Sequence, residues 1–96
     1  MIVRYTRQAL ADLDEAREYV ALDRPAAAQA IGQRIRQVIS DLTRFPERGR
    51  PGRVAGTREL VIPGTPFLAA YRISSGHVDV LAILHGARQW PSAFEA

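Results

Sequence analysis

The sequence predicts an α+β fold in the order β-α-α-β-β-β, a two-helix hairpin packed on a small, mostly antiparallel sheet. Two observations carry this. Apolar residues recur every three or four positions in the first half of the chain, whereas short apolar runs separated by Pro/Gly turns fill the second half. Between the halves lies a hinge, Arg44 to Arg58, punctuated by Pro46, Gly49, Pro51, Gly52 and Gly56. At 96 residues, the chain is read as a single domain over 1–96.

Residues 2–5 form a short strand, and Thr6 is placed to cap a helix whose first turn holds Gln8 and Ala9. Helix one runs to about Leu22, with Leu10, Leu13, Ala16 and Val20 on its apolar side and Asp12, Asp14, Glu15 and Glu18 on the others. Asp23 is a second cap candidate, and Pro25 suits the first turn of helix two, Pro25 to Thr43. Its stripe is Ala28, Ile31, Ile35, Val38, Ile39 and Leu42, continuing to Phe45. Gly32 costs helix propensity, which a close approach of helix one would explain.

After the hinge come strands Arg58–Ile62, Phe67–Ile73 and His77–Leu84, joined by the turns Pro63-Gly64-Thr65-Pro66 and Ser74-Ser75-Gly76. Val80 to Leu84 are apolar without alternation, as in a strand covered on both sides, so the His77 strand is expected at the centre of the sheet. A tail follows from His85 through Arg88 and Trp90. With both helices on one face, the other face of the sheet is expected to be partly open, rimmed by hinge arginines.

Charge is concentrated in the hinge. Arg44, Arg48, Arg50, Arg53 and Arg58 against the single acid Glu47 give +4, while the preceding residues balance and the following ones sum to −1, for a net +3. Such a loop suits phosphate or an acidic protein surface; its plainer reading is a solvated loop. All thirteen basic residues are arginine, which a GC-rich genome also explains. There is no cysteine, and His77 and His85 are isolated, so neither a disulfide, a metal site nor a cofactor is expected. No apolar run has the length of a signal peptide core or a membrane span, and the expected location is the cytoplasm.

Enzyme motifs are sparse. Asp14 and Glu18 are read as a solvated helix face, and the hinge glycines follow neither a P-loop nor a dinucleotide spacing. Metal-free ribonuclease chemistry would need a group to activate the 2′-hydroxyl, an acid for the leaving oxygen, and cations for the transition state. The residues available for it are Arg58, Arg72, His85 and Arg88. Each has a structural alternative: a strand-end histidine is commonly a hydrogen-bonding residue, and Trp90 beside Pro91 suits packing of the tail.

An ordered set of motifs spans nearly the whole chain: Ala9-x-x-Asp12-Leu13, Ala27-Ala28, Leu42-x-x-x-Pro46-x-x-Gly49-Arg50, Gly56-Thr57-Arg58-Glu59-Leu60, Tyr71-Arg72, and Val80-Leu81-x-Ile83-Leu84-His85-x-x-Arg88. This set resembles the RelE/ParE superfamily of bacterial toxin–antitoxin toxins. The resemblance implies a toxin neutralised by a cognate antitoxin in a hetero-oligomer. It divides by target. RelE-like toxins, which cut mRNA in the ribosome, usually carry an arginine three residues before the middle-strand tyrosine; here that position is Leu68. Arg88 matches their later arginine, but no tyrosine follows it. ParE-like toxins, which poison DNA gyrase without a catalytic centre, fit this departure better. The resemblance therefore implies a gyrase inhibitor, with a ribosome-dependent mRNA endonuclease and a non-toxic binding module as the other readings. Arg48, Arg50, Arg53, Arg58, Arg88 and Trp90 are the partner-binding candidates.

Overall fold

The computed structural model describes residues 1–86; Arg88 and Trp90 of the tail lie outside the described residues. Strand β1 (Ile2–Tyr5) leads into helices α1 (Arg7–Asp23) and α2 (Pro25–Ser40), a 3-10 turn (Asp41–Thr43), and strands β2 (Arg50–Pro51), β3 (Arg58–Val61), β4 (Phe67–Ser74) and β5 (His77–His85). The strands form one sheet in the order β1-β5-β4-β3-β2. Among the described strands, only β1 and β5 pair in parallel. This is the expected layer arrangement, with one addition: a two-residue edge strand inside the hinge, β2, whose Pro51 cannot donate to a further ladder.

The expected sheet centre shifts by one strand. β5 is interior, flanked by β1 and β4, but with β2 added the middle strand is β4. Phe67, Leu68, Ala69, Ala70 and Tyr71 are all buried, so β4 is covered on both faces. A bulge at Ala70/Tyr71 sets Ala70 opposite Ala82 and Tyr71 opposite Val80, giving β5 one extra residue, Leu81.

Thr6 caps α1: its hydroxyl accepts from the Ala9 amide at 3.1 Å and donates to the Leu81 carbonyl at 3.1 Å. Asp23, expected as the second cap, instead closes α1. Arg24 starts α2 without a side-chain cap, and Pro25 stands in the first turn, where its missing N–H costs nothing. The end of α2 tightens into the 3-10 turn, so the regular helix stops at Ser40 rather than Thr43.

The core lies between the hairpin and one sheet face: Ala9, Leu13, Ala16, Ile35, Ile39 and Leu42 meet Leu60, Ile62, Phe67, Ala69, Tyr71, Val78, Val80 and Ile83. Two stripe assignments change. Ala9 takes the buried place given to Leu10, which is 43 % exposed, and Phe45 is 57 % exposed because the chain has left the helix before reaching it. Gly32 is buried as expected of a close approach; a Cβ there would fall on the Arg17 guanidinium of α1. The outer sheet face is less open than anticipated, since Leu68, Ala70 and Ala82 are buried and Val54 of the hinge packs against them.

Candidate functional site

The hinge cannot continue α2, because Pro46, Pro51 and three glycines interrupt any helical run, and its backbone must find hydrogen bonds outside regular structure. The sheet supplies them. Tyr71 of β4 accepts from the Gly49 amide at 2.8 Å and donates to the Pro46 carbonyl at 2.6 Å. Arg58 of β3, directly across from Tyr71, donates to the Glu47 carbonyl at 3.2 Å and the Gly49 carbonyl at 2.7 Å. Gly49 is required by this approach: a Cβ would stand 2.7 Å from both the Glu59 carbonyl oxygen and the Tyr71 hydroxyl. Burial pushes the Tyr71 phenol above its ordinary value, opposed by the Gly49 hydrogen bond and by Arg58.

The five hinge arginines therefore differ in kind. Arg58 is a brace for the loop backbone. Arg50 pairs with Glu59, a carboxylate only 10 % exposed that sits opposite it on the neighbouring strand. Arg44 and Arg48 converge on one carboxylate, Asp41, at 3.9 and 3.4 Å, and the Arg44 guanidinium lies 5.7 Å from the centre of the Phe45 ring. Arg53 is exposed and has no ion pair among the described residues. Phe45, Pro46 and Glu47, with Arg44 and Arg48, line a shallow apolar cavity of about 520 Å³.

Of the ribonuclease candidates, the three among the described residues, Arg58, Arg72 and His85, are not brought together. Arg58 faces the helices beside Tyr71, whereas Arg72 follows Tyr71 directly and so projects from the opposite face, in register with Asp79. His85 is opposite Phe67, four positions from Tyr71 along β4, or roughly 13 Å at the usual strand rise. Its ring stands against Tyr19 and Phe67 in edge-to-face contacts at 5.5 and 5.7 Å. Among the described residues no group of acids and histidines could hold a metal, and no helix is long and apolar enough to cross a membrane.

Sequence reasoning missed Tyr71, Phe45 and Asp12. Asp12, expected with the other acids on the faces of helix one away from its apolar side, has a carboxylate that accepts from the Ile83 amide of β5 at 3.0 Å, beyond the point where β1 ends. A tyrosine in the middle of an apolar strand was the one available signal for the hinge brace, because a buried hydroxyl requires partners.

Comparison with known proteins places the chain among toxins. The family described as ParE toxin of type II toxin–antitoxin system, parDE, matches residues 3–90. The Sinorhizobium fredii protein Y4kP is 42 % identical over 89 residues, spanning 93 % of this chain and 92 % of its own. Toxin RelE2 of Caulobacter vibrioides is 38 % identical over 86 residues, spanning 90 % and 96 %. A chain of the chromosomal ParDE TA system from P. aeruginosa superposes with a TM-score of 0.80 at 30 % identity, over 86 % of this chain and 92 % of that one. The RelBE2 toxin–antitoxin complex of Mycobacterium tuberculosis gives a TM-score of 0.60 at 29 % identity, over 88 % and 95 %.

Proposed function

The chain belongs to the ParE toxin family of type II toxin–antitoxin systems, and from that premise we propose that it is a cytoplasmic, ParE-like inhibitor of DNA gyrase. Its cognate partner is an antitoxin, as the toxin–antitoxin structures it resembles support. The observation that carries the gyrase reading is the dispersal of the three ribonuclease candidates among the described residues. Arg58 is engaged with the hinge backbone, Arg72 projects from the other sheet face, and His85 sits in an aromatic contact roughly 13 Å along the strand. Leu68, where RelE-like toxins usually carry arginine, is 9 % exposed and packed with Ala70 and Ala82. An absent guanidinium of that kind would cost on the order of 2–4 kcal/mol of barrier. An arrangement in which the described residues bring no acid, base and cations together suits a protein that acts by binding.

Supercoiling assays with purified gyrase test this. Inhibition with accumulation of a cleaved-DNA complex is expected; neither effect at excess toxin would reject the proposal. The second reading, a ribosome-dependent mRNA endonuclease, draws on the likeness to toxin RelE2. Transcripts cut within codons after induction, without a DNA-damage response, would favour it. Normal growth on induction would instead favour a non-toxic binding module.

A further inference from the structure

We propose that the groove between the α1–α2 turn and the β3–β4 turn is the docking site of the chain's own segment 87–96, with Trp90 as the apolar anchor. This goes beyond the gyrase reading and does not depend on it.

The groove is a concavity of about 600 Å³ walled by Tyr19, Val20 and Leu22 of α1, Ala27 and Ile31 of α2, and Pro66. The hairpin's packing on the sheet stops short of it. Leu13 and Ala16 of α1 are in the core, whereas Tyr19 is 54 % exposed and Leu22 88 % exposed. Two helices thus leave a shared apolar surface uncovered by the rest of the described chain, and such a surface calls for an apolar occupant.

The course of the chain decides which occupant. β5 ends at His85, opposite Phe67, and the Gly86 amide donates to the Pro66 carbonyl at 2.7 Å, so the antiparallel course against β4 continues one residue past the strand. Pro66 lines the groove, as do Gly64 and Thr65 next along that turn. The His85 ring also stands 5.5 Å from that of Tyr19 on the groove wall. The chain is therefore at the rim of the groove when it reaches residue 86.

The segment that follows has the composition the groove asks for. It holds the only tryptophan of the sequence, Trp90, and one of the three phenylalanines, Phe94, with one base, Arg88, against one acid, Glu95. Four residues separate Trp90 from Gly86, a reach of at most roughly 14 Å. A side chain tethered at that range competes at an effective concentration on the order of millimolar, which favours it over a separate molecule of similar chemistry. Trp90 is then an anchor within the chain and leaves the set of partner-binding candidates.

Fluorescence of the full-length toxin tests this, because emission from the single tryptophan reports Trp90 alone. Emission at shorter wavelength than in urea is expected, with weaker quenching by acrylamide. Leu22→Arg with Ala30→Arg, both at exposed positions of the groove, should move the emission to its unfolded position and leave the circular dichroism unchanged. Phe45→Arg, at the other apolar concavity, should leave the emission where it is. Unfolded-like emission from the parent would overturn the proposal, as would short-wavelength emission indifferent to the groove pair. Emission that reverts on dilution would assign the groove to a second copy and overturn it too. Should the arginine pair fail to fold, Ala27→Cys carrying a nitroxide replaces it, since the chain has no other cysteine. Quenching of Trp90 from Ala27→Cys and not from Phe45→Cys is expected; no quenching from Ala27→Cys, or equal quenching from both, overturns the assignment.

Discussion

Tyr71 places its hydroxyl at the boundary between sheet and hinge, where it serves as donor to one loop residue and acceptor to another. Tyr71→Phe removes both bonds while keeping the ring, leaving the Gly49 amide and the Pro46 carbonyl without their partner. At about 1–3 kcal/mol for a buried unsatisfied group, the expected loss is about 2–4 kcal/mol, read as a lower urea midpoint. The pH dependence follows from the raised phenol. The unfolded chain releases this proton at lower pH than the folded one, so the contribution of Tyr71 is constant up to its ordinary value and declines as pH rises beyond it. Urea midpoints of the parent should fall more steeply across that alkaline range than those of Tyr71→Phe. None of this was legible from Tyr71 alone, because its partners are 22 and 25 residues away and both are backbone groups without sequence identity. Phe45 escaped for a related reason: its spacing continues the α2 stripe, but a periodic pattern does not mark where the helix stops.

The contact between α1 and α2 turns on one glycine and one arginine. The sequence already suggested a close approach at Gly32, since a costly residue in a helix interior calls for a neighbour. The neighbour proves to be the far end of the flexible Arg17 side chain, which also pairs with Asp14 at 3.0 Å. Gly32→Ala would displace that guanidinium, giving up an exposed ion pair worth a few tenths of a kcal/mol, against about 1 kcal/mol of helix propensity gained. The expected result is therefore a small stabilisation, about 0.5 kcal/mol, visible as a raised thermal midpoint. A marked loss would show that Arg17 cannot move aside. At the other end of α1, Asp12 reaches β5 past the end of β1 and takes up an edge amide that no strand pairs. Such a side chain is indistinguishable in sequence from the solvated acids around it, as helical spacing alone did not separate Asp12 from Asp14. Asp12→Ala should cost about 1–2 kcal/mol through the Ile83 amide.

Over the whole molecule, the order of elements and the two layers were readable because periodicity changes from helical to strand-like at a Pro/Gly-rich hinge. The internal neutralisation of that hinge was not, since charge counting cannot tell Arg58 on a carbonyl from Arg53 in solvent. Closure of the sheet depends on β1 joining β5 in parallel, a junction strengthened where Arg4 meets Asp79 at 2.8 Å and Ser74 donates to the same carboxylate at 2.9 Å. The Arg4 hydrogen bond holds the Asp79 carboxyl below its usual range, with Ser74 assisting. A depressed carboxyl favours the fold above the unfolded value, and that contribution disappears as pH falls through the lower folded one. Asp79→Asn should thus cost about 1 kcal/mol near neutrality and converge with the parent in strong acid, as measured by urea titration. The same junction orders events in time. Arg4 and Asp79 are 75 residues apart, a loop whose closure costs about 4 kcal/mol of chain entropy, and β5, which joins β1 to β4, follows the other four described strands in the chain. A ribosome translating this chain therefore carries two helices, the β2-β3-β4 meander and an unpaired β1 until β5 emerges, and the sheet closes around the core only then.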